Sequence, residues 1–546
     1  MPASNEVRMK RRFLRAAASA AAILACAALT IPASGSAQTG PGPRSAAPAK
    51  PVAESRRPNV LFIIADDLNT RIAPYGGPAL TPNLSRLAAQ GVTFDRAYSQ
   101  FPWCGPSRAS FLTGTRPDTN GIMDITTPVR ANLPDIVTLP QYFRQNGYHT
   151  ARVGKIFHQG VPGGVGKDGL DDPQAWDERY NPAGCDVASL DKITSLTPGI
   201  PLGGALSYRI DDCADAQQTD GMVADKAIAL LRDAAKRGKP FFLATGFYRP
   251  HVPEIVPRTY FDLYPPDQVK VAGNSADHLA KVVPAAKAIS PDNYDMSAEE
   301  QRTFTRAYYA ATSFMDAQVG RVLRAVEELG LADDTIVVFT SDHGYLLGEH
   351  GQWQKQLLFE ESARVPLIIR VPGTRQAGKH SARTVEMLDI YPTLVELAGL
   401  PRDRRNEGIS LARLLDRPDD ASWAKPALSQ VNGGRSVRTE RYRYTEWEGG
   451  RSGRELYDHA IDPREQVNLA DDPRYAAVVD LLRAMLPSGP VEPLPSRARY
   501  DPRADCLVPS SRYTGGAARQ AGANPGQGGN GASDGIVGLK LCDLAE

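Results

Sequence analysis

The seven residues Asn59-Val60-Leu61-Phe62-Ile63-Ile64-Ala65 form an apolar run with no polar alternation. A strand with one face in water would alternate. This one must be covered on both faces, which places it inside a largely parallel sheet with helices above and below. The run ends in Asp66-Asp67. Two adjacent carboxylates at the mouth of a buried strand repel each other and call for a cation or solvent; taken alone, they suit a turn or a helix cap equally well. Three more strands are predicted, and each ends in a polar motif. Residues 148–153 lead into Gly154-Lys155-Ile156-Phe157-His158. Residues 240–247 lead into Tyr248-Arg249-Pro250-His251, and residues 335–340 into Ser341-Asp342-His343-Gly344. Residues 365–371 read as a further strand.

Helical patterns fill the spaces between. Residues 81–90 start with Thr81 as N-cap and Pro82 in first position, and Gly91 closes them. Residues 107–112 enter a helix that places Cys104 near a helix N-terminus, a favourable place for an anion. Residues 138–146, 220–237, 299–329 and 385–398 complete the set. Alternating strands and helices define an α/β fold: a large, mostly parallel sheet flanked by helices, with its site beyond the carboxyl ends of the strands. Residues 160–216 are rich in Gly, Pro and Asp and read as a long insertion. Loops of that length usually serve a site or carry a cross-link of their own. Past residue 402, predicted antiparallel strands at 427–431 and 435–447 and a helix at 474–486 suggest a smaller C-terminal α/β subdomain.

The outer segments read differently. Arg8, Lys10, Arg11, Arg12 and Arg15 precede a small-residue apolar run at 16–31, and Gly35-Ser36-Ala37 offers a cleavage site before Gln38. The run is short and Ala-rich for a spanning helix, so residues 1–37 are expected to be an export signal rather than a stable membrane insertion. Periplasmic or secreted localisation follows. Residues 38–57 read as a flexible linker. Residues 58–401 then form the catalytic domain, 402–490 the subdomain and 491–546 a partly disordered extension. A net charge of +1 gives no general attraction to nucleic acid or anionic membrane. Of six cysteines, Cys26 leaves with the signal and Cys104 stands apart. Cys185, Cys213, Cys506 and Cys542 form an even set; Cys185–Cys213 and Cys506–Cys542 are the local pairings among three possible connectivities.

The stretch around Cys104 carries the chemistry. Phe101-Pro102-Trp103-Cys104-Gly105-Pro106-Ser107-Arg108, followed by Ala109-Ser110-Phe111-Leu112-Thr113-Gly114, resembles the C-x-P-S-R signature of the sulfatases. That family belongs to the alkaline phosphatase superfamily, and the likeness extends from 58 to 473. It closes on Glu455-Leu456-Tyr457-Asp458 and on 462–469. The resemblance implies that a formylglycine-generating maturation enzyme, reading Pro106 and Arg108, oxidises Cys104 to an aldehyde. The aldehyde hydrate attacks sulfur through one hydroxyl. Its second hydroxyl then loses a proton and expels sulfate by breaking a C–O bond, a route closed to serine. Asp66, Asp67, Asp342 and His343 are the candidate metal ligands, and an oxygen of the modified Cys104 completes the shell. Oxygen-rich ligands select Ca²⁺ or Mg²⁺, although His343 alone would leave other metals open. The resemblance implies Ca²⁺.

Arg108 would pair with the hydrated side chain, Lys155 would stabilise developing charge, and His158 would take the proton that triggers sulfate release. His251 and Lys355, the latter in Gln352-Trp353-Gln354-Lys355, match the sulfate-binding pair, one of which serves as general acid. Several stretches look like iduronate-2-sulfatase and its bacterial relatives: 111–118, 153–158, 248–253 and the Asp342-His343 pairing. They imply removal of 2-O-sulfate from a uronate-containing glycan. Other readings keep the same residues: a sulfatase for another polysaccharide or an aryl sulfate, a phosphonate or phosphate ester hydrolase, or a non-catalytic protein that binds sulfated glycans through an unmodified Cys104.

Overall fold

The unbroken apolar run lies in the middle of a sheet. The computed structural model describes residues 57–488 and two short antiparallel strands, Ala498–Asp501 and Cys506–Pro509. In it β1 (Asn59–Ala65) has a parallel partner on each edge, and Val60 to Ala65 are fully buried. The same sheet holds β2 (Val92–Tyr98), β3 (His149–Gly154), β4 (Glu178–Tyr180), β5 (Phe241–Gly246), β6 (Thr335–Ser341), β7 (Arg364–Val365), β8 (Leu367–Arg370) and β9 (Lys379–Glu386). Strands β6, β1, β5, β3 and β4 are neighbours in that order and all run parallel. β7 and β8, on either side of Pro366, run antiparallel to their neighbours, and β9 lies parallel to β2.

Successive side chains of β1 point to opposite faces. Leu61, Ile63 and Ala65 pack with α1 (Pro82–Gln90), and Val60, Phe62 and Ile64 pack with α2 (Cys104–Thr113) and α3 (Leu139–Gln145). α4 (Thr219–Arg237) and α5 (Ala298–Glu328) join the first layer, and α6 (Ile390–Leu397) the second. A helix layer on each face is what the missing alternation requires.

Five expectations change. Residues 435–447 are not one strand but two antiparallel ones, Gly434–Arg438 and Tyr442–Trp447, joined by a turn. Residues 385–398 are not one helix: β9 runs through Glu386, and α6 starts only at Ile390. β2 was not foreseen, because Asp95 and Arg96 interrupt its apolar pattern. The 160–216 insertion is more ordered than a loop. It supplies edge strand β4, two strands of a small three-stranded sheet completed by Glu254–Pro257, and the disulfide Cys185–Cys213. Finally, the Thr81 hydroxyl accepts from Ala73 N at 3.0 Å instead of capping α1. Asp316 of α5 caps that helix from outside, accepting Leu84 N at 2.8 Å and Asn83 N at 3.1 Å.

The C-terminal sheet is an antiparallel meander of β10 (Ala427–Val431), β11 (Gly434–Arg438), β12 (Tyr442–Trp447) and β13 (Arg454–Asp458). Val479 and Leu482 of α7 (Ala476–Arg483) cover Val437, Tyr444 and Leu456. The export signal, the linker up to residue 56, the Cys506–Cys542 pairing and most of the extension lie outside the described residues. Among the described residues, no helix is long and apolar enough to cross a membrane.

Candidate active site

Strands β6, β1, β5 and β3 end together. Ala65 pairs with Ser341, Ile64 with Gly246, and Gly154 with Gly246. The residues that follow therefore converge over one edge of the sheet. The crossing of β3 and β5 has no room for a side chain: a Cβ on Gly154, which has φ +72°, would lie 2.1 Å from Gly246 O, and one on Gly246 would lie 2.0 Å from Lys155 O.

Asp66 and Asp67 leave β1 consecutively, and in extended chain their side chains would diverge. Asp67 instead adopts φ +65°. This left-handed turn costs a non-glycine residue of order 1–3 kcal/mol unless its surroundings hold it. Three contacts do so. Tyr308 of α5 donates its hydroxyl to Asp67 O at 2.7 Å and accepts Asn69 N at 2.9 Å, while Asp67 N donates to Asp342 Oδ1 at 3.2 Å. Both carboxylates then face one buried pocket.

Cys104 opens α2, is 2% exposed and is a free cysteine. Its Sγ lies 3.2 Å from His343 Nε2, 3.5 Å from Lys355 Nζ and 3.7 Å from Asp67 Oδ1. One ligand atom each from Asp66, Asp67, Cys104 and His251 lies within 4.8 Å of the others, and the same holds for Cys104, Asp342 and His343. The structure thus brings together every sequence-predicted metal ligand. The donors suit a hard divalent cation: three carboxylates and one imidazole. His343 Nδ1 faces Gly344 O at 2.8 Å; a carbonyl only accepts, so the proton sits on Nδ1 and the Nε2 lone pair turns to the pocket.

Cationic groups ring these acids. Arg108 donates Nε to Asp342 at 2.9 Å, one terminal nitrogen to Asp66 at 3.2 Å, and the other to Lys155 O and Ile156 O at 2.7 and 3.0 Å. One fork thereby fixes the ends of β1, β3 and β6. Lys155 pairs with Asp66. Lys355 bonds both oxygens of Asp67, at 2.6 and 2.7 Å. It stands between Gln354 (φ +73°) and Gln356 (φ +69°), on a loop tied to the Cys104 segment by Gln356 N donating to Pro102 O at 2.8 Å. His251 Nε2 is 3.9 Å from Asp67 Oδ2, and its Nδ1 faces Val252 O at 2.7 Å. His158 lies in the field of Lys155, Asp66, Arg108 and Lys355, and its Nδ1 has no partner among the described residues.

The electrostatics follow from burial set against these neighbours. Burial favours the neutral acid at Asp66, but Lys155, Arg108 and Lys355 outweigh it and hold the carboxyl well below its ordinary value. At Asp67 burial wins, helped by Asp66 and Asp342, and the carboxyl is raised. Burial and then Asp66 push the Cys104 thiol well up. Burial, followed by Lys155 at His158 and by Lys355 at His251, keeps both imidazoles neutral. Lys355 stays charged because Asp67 and Asp66 outweigh its burial.

Several supporting residues carried no sequence signal. Asp220 of α4 accepts Tyr248 N at 2.8 Å and Arg249 N at 2.9 Å, which fixes the His251 loop. Asp186, beside Cys185 in the insertion, holds Arg249 at 3.1 Å and Thr219 N at 2.9 Å. Tyr308 reaches Asp67 from mid-helix. A sharp turn at a doubled Asp hints that something must hold it, but not what.

An α/β sheet that gathers carboxylates, two lysines and histidines around a buried Cys at a helix N-terminus describes a hydrolase of anionic esters on the alkaline phosphatase-like fold. Residues 58–400 match the family profile described as Sulfatase, and 348–489 match that of N-sulphoglucosamine sulphohydrolase, C-terminal. The chain belongs to the sulfatase family and is a sulfuric ester hydrolase. It is 35% identical over 455 residues to a sulfatase of Formosa agariphila, covering 80% of this chain and 87% of that one. It is 31% identical over 518 residues to iduronate 2-sulfatase of Mus musculus, covering 78% and 93%. The crystal structure of a phosphonate monoester hydrolase of Agrobacterium radiobacter superposes with a TM-score of 0.66 at 25% identity, over 79% of this chain and 96% of that one.

Proposed function

We propose that this enzyme removes sulfate from a sulfated glycan, with 2-O-sulfated uronate as the preferred unit, using formylglycine made from Cys104 and a divalent cation of the Ca²⁺ type. The observation that carries the reading is the convergence of Asp66, Asp67, Asp342 and His343 on Cys104 inside a ring of Lys155, Lys355 and His251. When present, the cation supplies positive charge at the sulfate oxygens, and the hydrated aldehyde supplies the hydroxyl pair described above.

The remaining work falls to the chain. Asp66, Asp67, Asp342 and His343 Nε2 would hold the cation, and the modified residue 104 would complete its shell. Arg108 aligns the ends of three strands and orients residue 104. Lys155 and Lys355 offset the negative charge that builds on the sulfuryl group as it transfers. His251 and Lys355 face the leaving oxygen, and one of them gives it a proton. Neutral His158 takes the proton whose loss lets sulfate go. Export and a partner maturation enzyme belong to the same proposal; the Cys185–Cys213 disulfide suits an oxidising compartment.

The likeness to iduronate 2-sulfatase motivates the uronate preference, and the likeness to a phosphonate monoester hydrolase motivates the rival reading. Rates on defined 2-O-, 6-O- and N-sulfated disaccharides, an aryl sulfate and a phosphonate monoester decide between them. The 2-O-sulfated uronate disaccharide is expected to give the highest kcat/KM. A larger value on the phosphonate would overturn the proposal, and so would full activity in Cys104→Ala.

A further inference from the structure

A second cluster of buried charge, which shares no residue with the Cys104 cluster, lies where loops of the large sheet meet the C-terminal sheet. His350 sits in the turn Glu349–Gly351, Glu361 in the short helix Glu360–Ala363, and Glu465 beyond β13. His350 Nε2 and one carboxylate oxygen from each acid lie within 4.8 Å of one another. His350 and Glu465 are both 0% exposed. Neither His350 Nε2 nor Glu361 Oε2 has a hydrogen-bond partner among the described residues. They stand 3.8 Å apart, too far for a hydrogen bond and close enough to share an ion.

The far side of the His350 ring is fixed. Its Nδ1 lies 3.0 Å from His278 Nε2, and His278 Nδ1 lies 2.9 Å from Gln466 O. The carbonyl can only accept, so His278 carries its proton on Nδ1 and accepts through Nε2. His350 therefore donates from Nδ1 and turns the Nε2 lone pair inward. Phe359 stacks on the ring with centroids 3.7 Å apart and planes 9° from parallel, which sets its direction. A remote ring nitrogen anchored in this way is how metal-binding histidines are held.

Glu465 is also held. Its Oε1 takes Arg443 Nε at 2.7 Å and His459 at 2.8 Å, and its Oε2 takes Glu360 N at 2.9 Å, which leaves a lone pair on Oε2. The adjoining trio Glu360, His459 and Glu465 is equally close but already neutralised. Glu360 accepts Arg443 at 2.6 Å, Arg438 at 3.2 Å and the Tyr98 hydroxyl at 2.9 Å. Unused donors are concentrated on the His350 side.

We propose that His350 Nε2, Glu361 and Glu465 form a second divalent-cation site, structural in purpose, that takes Zn²⁺. One imidazole nitrogen and two carboxylate oxygens, with a fourth position left for water beside the part-exposed Glu361, suit that borderline ion better than Ca²⁺, which prefers six or more oxygens. Ligands ~2.0–2.2 Å from zinc stand roughly 3–4 Å from one another, so these side chains need only small shifts. Burial disfavours a charge on His350, yet Glu361, Glu465 and Glu349 outweigh it and raise its basicity, so the cluster attracts positive charge. The ion would join a catalytic-sheet loop to the segment beyond β13. The inference does not depend on the function proposed above.

The test uses the full chain, stripped with chelator and then titrated with Zn²⁺, with bound metal counted by mass spectrometry and affinity read by calorimetry. Glu361→Gln is the probe, because that side chain is 20% exposed and its Oε2 accepts no hydrogen bond among the described residues, its ion-pair neighbour being His350 at 3.8 Å. With excess Ca²⁺ present for the Asp66, Asp67, Asp342 and His343 donors, native protein and Cys104→Ala are expected to hold one tight Zn²⁺ equivalent that Glu361→Gln binds ~100-fold more weakly. Co²⁺ in place of Zn²⁺ is expected to give a visible absorption band that the same substitution abolishes. Equal Zn²⁺ binding in native and Glu361→Gln protein overturns the site. So does a thermal midpoint that ignores Zn²⁺ but follows protonation of His350, which would make the cluster an imidazolium–carboxylate pair.

Discussion

Tyr308→Phe removes one oxygen atom from a residue that is 1% exposed, and should disturb the active site from α5. The hydroxyl links Asp67 O and Asn69 N at 2.7 and 2.9 Å. Phenylalanine keeps the ring and its stack on Tyr345, with centroids 5.3 Å apart, so no cavity opens. The buried carbonyl and N–H lose their partner, and each unsatisfied group costs ~1–3 kcal/mol. They flank the strained Asp67, so part of the loss should appear as a relaxed turn and a displaced carboxylate. The expectation is a loss of ~2–4 kcal/mol in denaturant unfolding and at least a ~10-fold drop in kcat, or ~1.4 kcal/mol in the barrier. Tyr345→Phe is the control: its hydroxyl has no partner among the described residues, and the change should be close to neutral. Native stability and native kcat in Tyr308→Phe would show that Asp67 holds its turn without help.

Three further outcomes follow. Arg108→Lys keeps the charge but loses the fork, leaving Asp66 or Asp342 short of a partner; ~3–5 kcal/mol of stability should go, together with most activity, read by unfolding and turnover on an aryl sulfate. Burial raises the Asp220 carboxyl from the ordinary 3.8 to about 6 even though Arg249 and two backbone N–H groups oppose it. The folded state thus holds this proton more tightly, and its contribution is full below pH ~4 and lost as pH rises through ~6. Unfolding of native protein against Asp220→Asn should therefore show their stability difference shifting by up to ~3 kcal/mol against the native protein between pH 4 and pH 7, and a flat difference would refute it. Cys185→Ala with Cys213→Ala opens a link between residues 28 apart, expected to cost ~3–4 kcal/mol. Because Asp186 adjoins that link and holds Arg249, kcat/KM should fall as well, and unchanged kinetics would separate the insertion from the site.

The catalytic edge was legible because its strands are buried on both faces. β1 and β6 read as strands without ambiguity, and the polar residues after them had only one place to go. Cys104, Arg108, Lys155, His251, Asp342, His343 and Lys355 then met as expected. Elements with mixed patterns were harder. β2 carries Asp95 and Arg96 at its centre, β4 is three residues long, and the helical spacing of α6 extends back over the end of β9. The residues that hold the site were invisible for another reason. Tyr308, Asp220, Asp316 and Asp186 act on backbone groups far along the chain, and each looks locally like an ordinary helix or loop residue. The hydrogen bonds they satisfy exist only once the fold has formed.

The chemistry stands or falls on the state of residue 104. The mass of the proteolytic peptide carrying it, taken from purified active enzyme, is expected to show loss of H₂S and gain of one oxygen relative to the encoded sequence, in a fraction that rises and falls with specific activity across preparations. Full activity from protein whose residue 104 is entirely an unmodified thiol would contradict the mechanism at its first step.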